Sequence, residues 1–343
     1  AVSKKEIWLG PLLGNNRSRL IERCAGLVSE GKADSFLYLA ASHPLLEIIT
    51  ESILDGRNNR GVWGELPGYL FRGFVRRVIR SAVDDLTGLG LPPRTPIDHD
   101  ELPLKRSLIS QILARLKADG KLKAIAPLAH SDGCVNTMAA LIGEIQRAGK
   151  TSADFQEIVA ARAAEQGTPK TNGNSPGTFV QTDFDQEVAL VYATYAHLIK
   201  ENNLTEGDAD GLRALAILGG QLEGRAMSLP WLENADLLIL DGFFDFTPVQ
   251  GEMLRRLIPR FPEVIVNLNK DPDNPEIFKP FENTISRLSA IADFEIRQSN
   301  EKLETLGALS SLRQKLFNPS PPVQLRNEFD EEKTGTAQTE VRY

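Results

Sequence analysis

Ala235-Asp-Leu-Leu-Ile-Leu-Asp-Gly-Phe-Phe-Asp-Phe-Thr-Pro-Val-Gln250 is the stretch whose reading decides the fold. Leu237 to Leu240 is a short, unbroken apolar run, the pattern of a parallel strand covered on both faces. It stops at Asp241, which puts a carboxylate at the carboxyl end of a buried strand, where open α/β sheets bind ligands. A helix is predicted seven residues on. Thr247 caps it, Pro248 occupies its first turn, and Gln250 completes a Thr-x-x-Gln capping box. Val249, Met253, Leu254, Leu257 and Ile258 supply its apolar face. The strand is expected mid-sheet, beside a first strand at Glu6–Leu9.

An acid that ends a hydrophobic strand is the arrangement that holds the magnesium of a bound nucleotide. Many α/β proteins end a strand in Asp for no such purpose, so this position alone leaves both readings open. The wider segment says more. Asp241-Gly-Phe-Phe-Asp-Phe-Thr-x-x-Gln250 resembles the Asp-Glu-Phe-Gln-Asp-Thr-Asn-x-x-Gln segment of UvrD/RecB-type superfamily-one helicases. It is more similar still to the Asp-Gly-Phe-x-x-Phe-Thr-x-x-Gln form in the AddB/RexB subunits of bacterial double-strand-break helicase–nucleases. Asp241, Phe243, Asp245 and Gln250 align with the helicase pattern. Gly242 stands where active helicases carry the Glu that polarises the attacking water, and glycine has no side chain for that task.

The resemblance implies a RecA-like P-loop NTPase parallel sheet carrying an inserted all-helical subdomain. The front of the chain fits that order. Glu6-Ile-Trp-Leu-Gly10 reads as a strand, and a helix over about 17–30 follows with Leu20, Ile21, Cys24, Leu27 and Val28 as its stripe. The turn between them is Gly10-Pro-Leu-Leu-Gly-Asn-Asn-Arg-Ser18. A working phosphate loop needs glycines that let backbone N–H groups wrap the phosphates, a Lys for their charge and a hydroxyl for magnesium. Aligned from Gly10, with Gly14 inside the loop, Asn15 falls at the second glycine, Asn16 at the lysine and Arg17 at the Ser/Thr, ahead of Ser18. Asn tolerates left-handed backbone, so the loop shape can persist. The charge is lost at the lysine position, with Arg17 one place on as a partial substitute. We read a relic nucleotide site made of Gly10, Gly14, Asn15, Asn16, Arg17, Ser18, Asp241 and Gln250, with Mg-ATP binding doubtful. An ordinary strand-to-helix turn and a live ATPase are the alternatives.

Composition excludes several classes. The chain has 343 residues, a formal charge of −7, four His and two Cys. Cys24 and Cys134 lie far apart and suggest neither a disulfide framework nor a metal cluster, which makes a reducing cytoplasm the expected compartment. No His pair has ligand spacing, so no metal site is expected, and no apolar run approaches a membrane span. The acidic total argues against a compact basic nucleic-acid module. It leaves room for a local arginine cluster, which sets phosphate contact.

Such a cluster is present. Phe71, Phe74, Val75, Val78, Ile79 and Ala82 form a 3.6-period core face, and Arg72, Arg76 and Arg80 line up along another, with Arg77 beside them. Like charges at that spacing repel, so an anion such as DNA phosphate is a natural partner; a solvated face neutralised by Asp84 and Asp85 is the alternative. Trp63 and Tyr69, just before this helix, can stack on a base or plug the core. Ser35-Phe-Leu-Tyr-Leu-Ala-Ala41 is a second strand, and Ser42-His43-Pro44 opens the helix after it. The helicase resemblance implies that Ser42 and His43 touch single-stranded DNA; a plain helix start is the alternative.

Gly88-Leu-Gly-Leu-Pro-Pro-Arg-Thr-Pro96 breaks the pattern. Amphipathic helices are predicted at 104–118, 133–148, 152–165, 184–201 and 207–222, with a loop over 166–177. After Pro230 the sheet resumes. Glu263-Val-Ile-Val-Asn-Leu-Asn-Lys-Asp271 is its next buried strand, and it lacks the Gly-Asp-x-x-Gln sensor of active helicases. Asn269 and Asp271 read as remnants of it or as a plain strand exit. A helix near 281–292 and a strand at 293–298 complete a discontinuous domain of residues 1–92 and 231–317 around an insert at 93–230. Residues 318–343 read as a linker, Asn318-Pro-Ser-Pro-Pro322, and the start of a second domain. The resemblance then implies an ATP-inactive helicase-like module that binds a single-stranded or duplex DNA end and braces an active helicase–nuclease partner. The nuclease activity of such subunits resides in a C-terminal domain, whose residues are not found here. A working P-loop helicase and a protein-docking scaffold without nucleic acid remain the competing readings.

Overall fold

A computed structural model describes residues 3–11, 14–55, 66–88, 95–96, 104–166, 181–222, 225–270 and 278–299. Trp63, the loop over 167–177 and the segment 318–343 lie outside the described residues. The chain runs β1 (Lys4–Gly10), α1 (Asn16–Ser29), β2 (Phe36–Ala40), α2 (His43–Leu54), β3 (Gly68–Leu70) and α3 (Phe71–Gly88). It continues through β4 (Thr95–Pro96), α4 (Leu104–Ala118), α5 (Asp132–Arg147), α6 (Ser152–Gln166), α7 (Gln181–Glu201), β5 (Leu204–Thr205) and α8 (Asp210–Leu218). Then come β6 (Gln221–Leu222), β7 (Arg225–Ala226), α9 (Pro230–Glu233), β8 (Leu237–Asp241), α10 (Pro248–Leu257), β9 (Glu263–Asn269), α11 (Pro280–Ser289) and β10 (Glu295–Gln298).

Six strands form one sheet in the order β10-β1-β9-β8-β2-β3, and every pairing is parallel. Parallel strands bury both faces, which is why β2 and β8 are apolar runs with every residue buried. Period-two alternation assigns each face. Phe36, Tyr38, Ala40, Leu237, Ile239 and Ile265 meet Leu20, Cys24 and Val28 of α1 and Ile49 and Ile53 of α2. Leu37, Leu39, Leu238, Leu240, Val264 and Val266 face the other way, onto α3, α8 and α10. Helices α4, α5 and α7 close a second core around Ile109, Leu113, Ile142, Val191 and Tyr195. Helix α8 packs in the sheet's core instead, through Ala214, Leu215, Ile217 and Leu218.

The expected place of β8 is corrected in one respect. It lies mid-sheet, but β9 separates it from β1, pairing Val266 with Leu240 on one side and with Ile7 on the other. The crossover through α10 returns the chain next to β8, and β9 is apolar enough to be covered on all sides. Contact between the first loop and Asp241 must therefore span a strand, and side chains accomplish it. The short β3, Gly68–Leu70, adds the far edge strand beyond β2.

Candidate functional site

Asp241 ends β8 with its side chain fully buried. It stands two residues beyond Ile239, so alternation turns it toward the α1 and α2 face, where an unpaired carboxylate is costly. Four hydrogen bonds satisfy it. Arg17 donates from Nε to Oδ2 at 2.8 Å and from Nη2 to Oδ1 at 3.3 Å, the Tyr38 hydroxyl donates to Oδ2 at 2.7 Å, and the Asn267 amide donates to Oδ1 at 2.8 Å. The strand register delivers these groups, since Asp241 pairs with Ala40 on one side and Asn267 on the other. Arg17 comes from the first turn of α1 and lies on its inward stripe, three residues before Leu20. The forked guanidinium suits a carboxylate. Burial lowers the Arg17 pKa, and the hydrogen bond and charge of Asp241 outweigh it, leaving a net rise. Burial first, and then the Asp241 charge, push the Tyr38 phenol well above its ordinary range.

The loop after β1 is shaped differently from a phosphate cradle. Gly14 N–H closes a turn onto the Pro11 carbonyl at 2.9 Å, and Asn15 caps α1 without a side-chain cap bond. Asn16, at the lysine position, is buried against Gly10, where an added Cβ would meet its amide nitrogen at 2.8 Å. Ser18 is exposed. On the opposite side, Gly242 has φ +78° and donates its N–H to the Asn267 carbonyl at 3.3 Å. A Cβ there would sit 2.9 Å from Leu45 Cδ2. Glycine is required by this turn, and a glutamate would be strained in it. Gln250 makes the predicted capping box, with Thr247 N–H donating to its Oε1 at 3.0 Å.

The arginines of α3 divide. Arg72, Arg76 and Arg80 are exposed and have no ion-pair partner among the described residues. Arg77 turns inward, its guanidinium 5.5 Å from the Trp231 ring centre. Tyr69 is buried in the core of the sheet domain, away from any exposed stacking role. Ser42 and His43 are exposed at the start of α2, just past the carboxyl end of β2, with His43 Nδ1 3.3 Å from Glu47 Oε1. Arg72 and Arg76 open onto a cleft of about 520 Å³ whose other walls include Gln250, Arg147, Asp208 and Asp210. The structure thus gathers the predicted residues at two places. Arg17, Asp241 and Asn16 sit at the sheet's carboxyl edge, and Arg72, Arg76 and Gln250 sit at the cleft.

A family model described as ADDB, N-terminal, matches residues 103–315, well over half of the chain. The chain belongs to the AddB N-terminal family. The matched span holds α4 through β10, and with them the Asp241–Gln250 segment of this AddB-like chain; β1, α1 and α3 precede it. No curated protein matches the chain. Among the described residues, no helix is long and apolar enough to cross a membrane, and no group of three or more His, Cys, Asp or Glu could hold a metal ion.

Sequence reading missed two of the groups around Asp241 in this AddB-like sheet. Asn267 interrupts the apolar run of β9 at the residue paired with Asp241, and Tyr38 is a hydroxyl inside a wholly buried strand. A polar atom in each of those positions requires a buried partner. That requirement was the available signal.

Proposed function

We propose that this chain is an ATP-inactive helicase-like module of an AddB-type subunit in DNA double-strand-break repair, binding DNA and bracing an active helicase partner. The single observation that carries this reading is the Arg17–Asp241 pair. In a RecA-like nucleotide site, the carboxylate that ends this strand is free to face magnesium, and a lysine and a hydroxyl from the first loop face the phosphates. Here both oxygens of Asp241 are taken by Arg17, Tyr38 and Asn267. The lysine position holds a buried Asn, and Gly242 replaces the water-polarising acid in a backbone turn that disfavours it. These residues do not fit Mg-ATP. What supports a RecA-like reading of the fold is the all-parallel sheet with helices on both faces and the meeting of its first loop with Asp241.

The proposed division follows the two cores. Residues 1–92 and 231–317 form the helicase-like domain and 93–230 the helical insert, with α8 as the part of the insert laid on the sheet. The proposed DNA contacts are the exposed Arg72, Arg76 and Arg80, with Ser42 and His43 at the sheet's carboxyl edge. Unpaired guanidiniums one helical turn apart favour a phosphate backbone over a solvated face, which would have supplied counter-charges. The test is titration of the chain with labelled single-stranded and forked DNA at two salt concentrations. Binding that weakens steeply with salt, and that falls at least tenfold in Arg72→Glu/Arg76→Glu, is the expected result. Wild-type affinity in that double variant would leave the docking-scaffold reading in its place.

A further inference from the structure

We propose that the cleft between α3 and the helical insert is a channel for one nucleic-acid strand, in which Asp208 acts as the built-in counter-anion that holds Arg147 ready on the wall opposite Arg72 and Arg76. The inference rests on the DNA-binding reading above and adds a second wall, a gatekeeping carboxylate and a strand as the ligand.

The two walls differ in their charge state. On the α3 side, Arg72 and Arg76 stand one turn apart, a rise of about 6 Å, without a counter-charge among the described residues. Guanidiniums so placed repel each other until an anion lies between them. On the insert side, Arg147 Nη1 donates to Asp208 Oδ1 at 2.6 Å, and Lys105 Nζ reaches Asp208 Oδ2 at 3.0 Å. Lys105 is held in turn by the buried Glu206 at 2.9 Å. Asp208 therefore answers two cations with one charge. It reaches them because Gly143 leaves room on α5; a Cβ there would lie 2.5 Å from Asp208 Oδ2 and 3.1 Å from Arg147 Nη1. Arg147 is half exposed and can exchange its carboxylate for a phosphate without leaving the cleft.

The cleft favours a strand over a small anion. Its floor is apolar, formed by Phe71, Val75, Val249 and Met253, which suits sugars and bases and gives a lone phosphate nothing to contact. The arginine row also runs past the cleft to Arg80, so a ligand that uses the whole row is longer than one nucleotide. Arginine forks on both walls match phosphodiester oxygens, and the net positive balance of the walls selects a polyanion.

The test measures fluorescence anisotropy of a labelled oligothymidylate with the full chain at several salt concentrations, alongside inorganic phosphate and thymidine monophosphate as competitors. Arg147→Glu is expected to weaken strand binding about tenfold, and Arg147→Ala to lower the salt slope by about 0.7, the value for one phosphate on a single strand. Asp208→Asn is expected to tighten binding several-fold at low salt and to steepen the slope. Circular dichroism melts accompany each variant, and the exposed Arg147 changes carry the test if Asp208→Asn does not fold. If Arg72→Glu/Arg76→Glu abolishes binding while Arg147→Glu and Asp208→Asn both behave as wild type, the second wall is wrong and the α3 reading stands. If the α3 double variant is also silent, both readings fall. Displacement of the strand by phosphate or thymidine monophosphate at concentrations similar to that of the oligonucleotide would show a single-anion pocket, and preference for an acidic peptide over the strand would show a protein-docking cleft. Either result overturns the channel.

Discussion

Replacing Arg17 by Met isolates the interaction on which the inactive reading depends. The substitution keeps the aliphatic body that packs on the α1 stripe and deletes the guanidinium. Asp241 then retains the Tyr38 hydroxyl and the Asn267 amide, two hydrogen bonds of its four, and loses the only cation bonded to it. Its side chain is wholly inaccessible, so water cannot take the place of the missing fork. Breaking a buried pair by removing one partner costs about 3–5 kcal/mol, and the lower end applies because Arg17 is partly exposed. Removing both charges is a different matter. Arg17→Met with Asp241→Leu leaves no uncompensated carboxylate, and a buried pair replaced by apolar groups is often near neutral, so the double variant is expected within about 1 kcal/mol of the wild type. Urea denaturation followed by far-ultraviolet circular dichroism, with linear extrapolation, reads both numbers. A loss below about 1 kcal/mol in Arg17→Met, or a double variant no better than the single one, would refute the reasoning, since the cost is argued to come from the stranded charge.

Three further outcomes are expected. Gly242→Glu, which restores the acid of active helicases by name, should lose about 2 kcal/mol or more because φ +78° is left-handed backbone; denaturation at wild-type stability together with new ATP turnover would contradict this. Arg23, through its hydrogen bonds and charge, holds Glu263 below the usual glutamate range, so its contribution is full above that range and is lost as the pH falls through the depressed value. Melting temperatures measured from neutral to acid pH should fall, and Glu263→Gln should flatten that slope; a slope unchanged in the variant would remove Glu263 as its source. The buried Cys24 thiol is pushed up to about 12 by burial, so the folded chain should resist thiol reagents at that site at pH 8 and react there only on unfolding, as a timed thiol titration of Cys134→Ser would record.

Much of the architecture was legible because the sheet obeys simple periodicities. The apolar runs of β2, β8 and β9 and the stripes of α1, α3 and α10 follow from burial on two faces or one, and the Thr247–Gln250 capping box is local chemistry. The helical insert was equally readable at 104–118 and 152–165. The strand order was not, because period and propensity describe a strand's faces and say nothing of its neighbours. That is why β9 came between β1 and β8. The site was legible in its parts and not in its pairing. Arg17 was read as a partial substitute for a phosphate-binding lysine, whereas alternation along β8 and the α1 stripe aim it and Asp241 at each other. Tyr69 and Arg77 were read by composition, and packing on the sheet core and on Trp231 decides both. The cleft formed by Arg72, Arg147 and Asp208 joins residues more than sixty positions apart, a proximity that only tertiary structure reveals.

The account's central claim is that the Arg17–Asp241 pair has replaced the nucleotide site. Isothermal titration of the chain with magnesium and ATP, followed by a phosphate-release assay with and without DNA, tests it most directly. No binding heat and no release above the protein-free background are predicted, whereas ATP-dependent release that disappears in Asp241→Asn would contradict the claim.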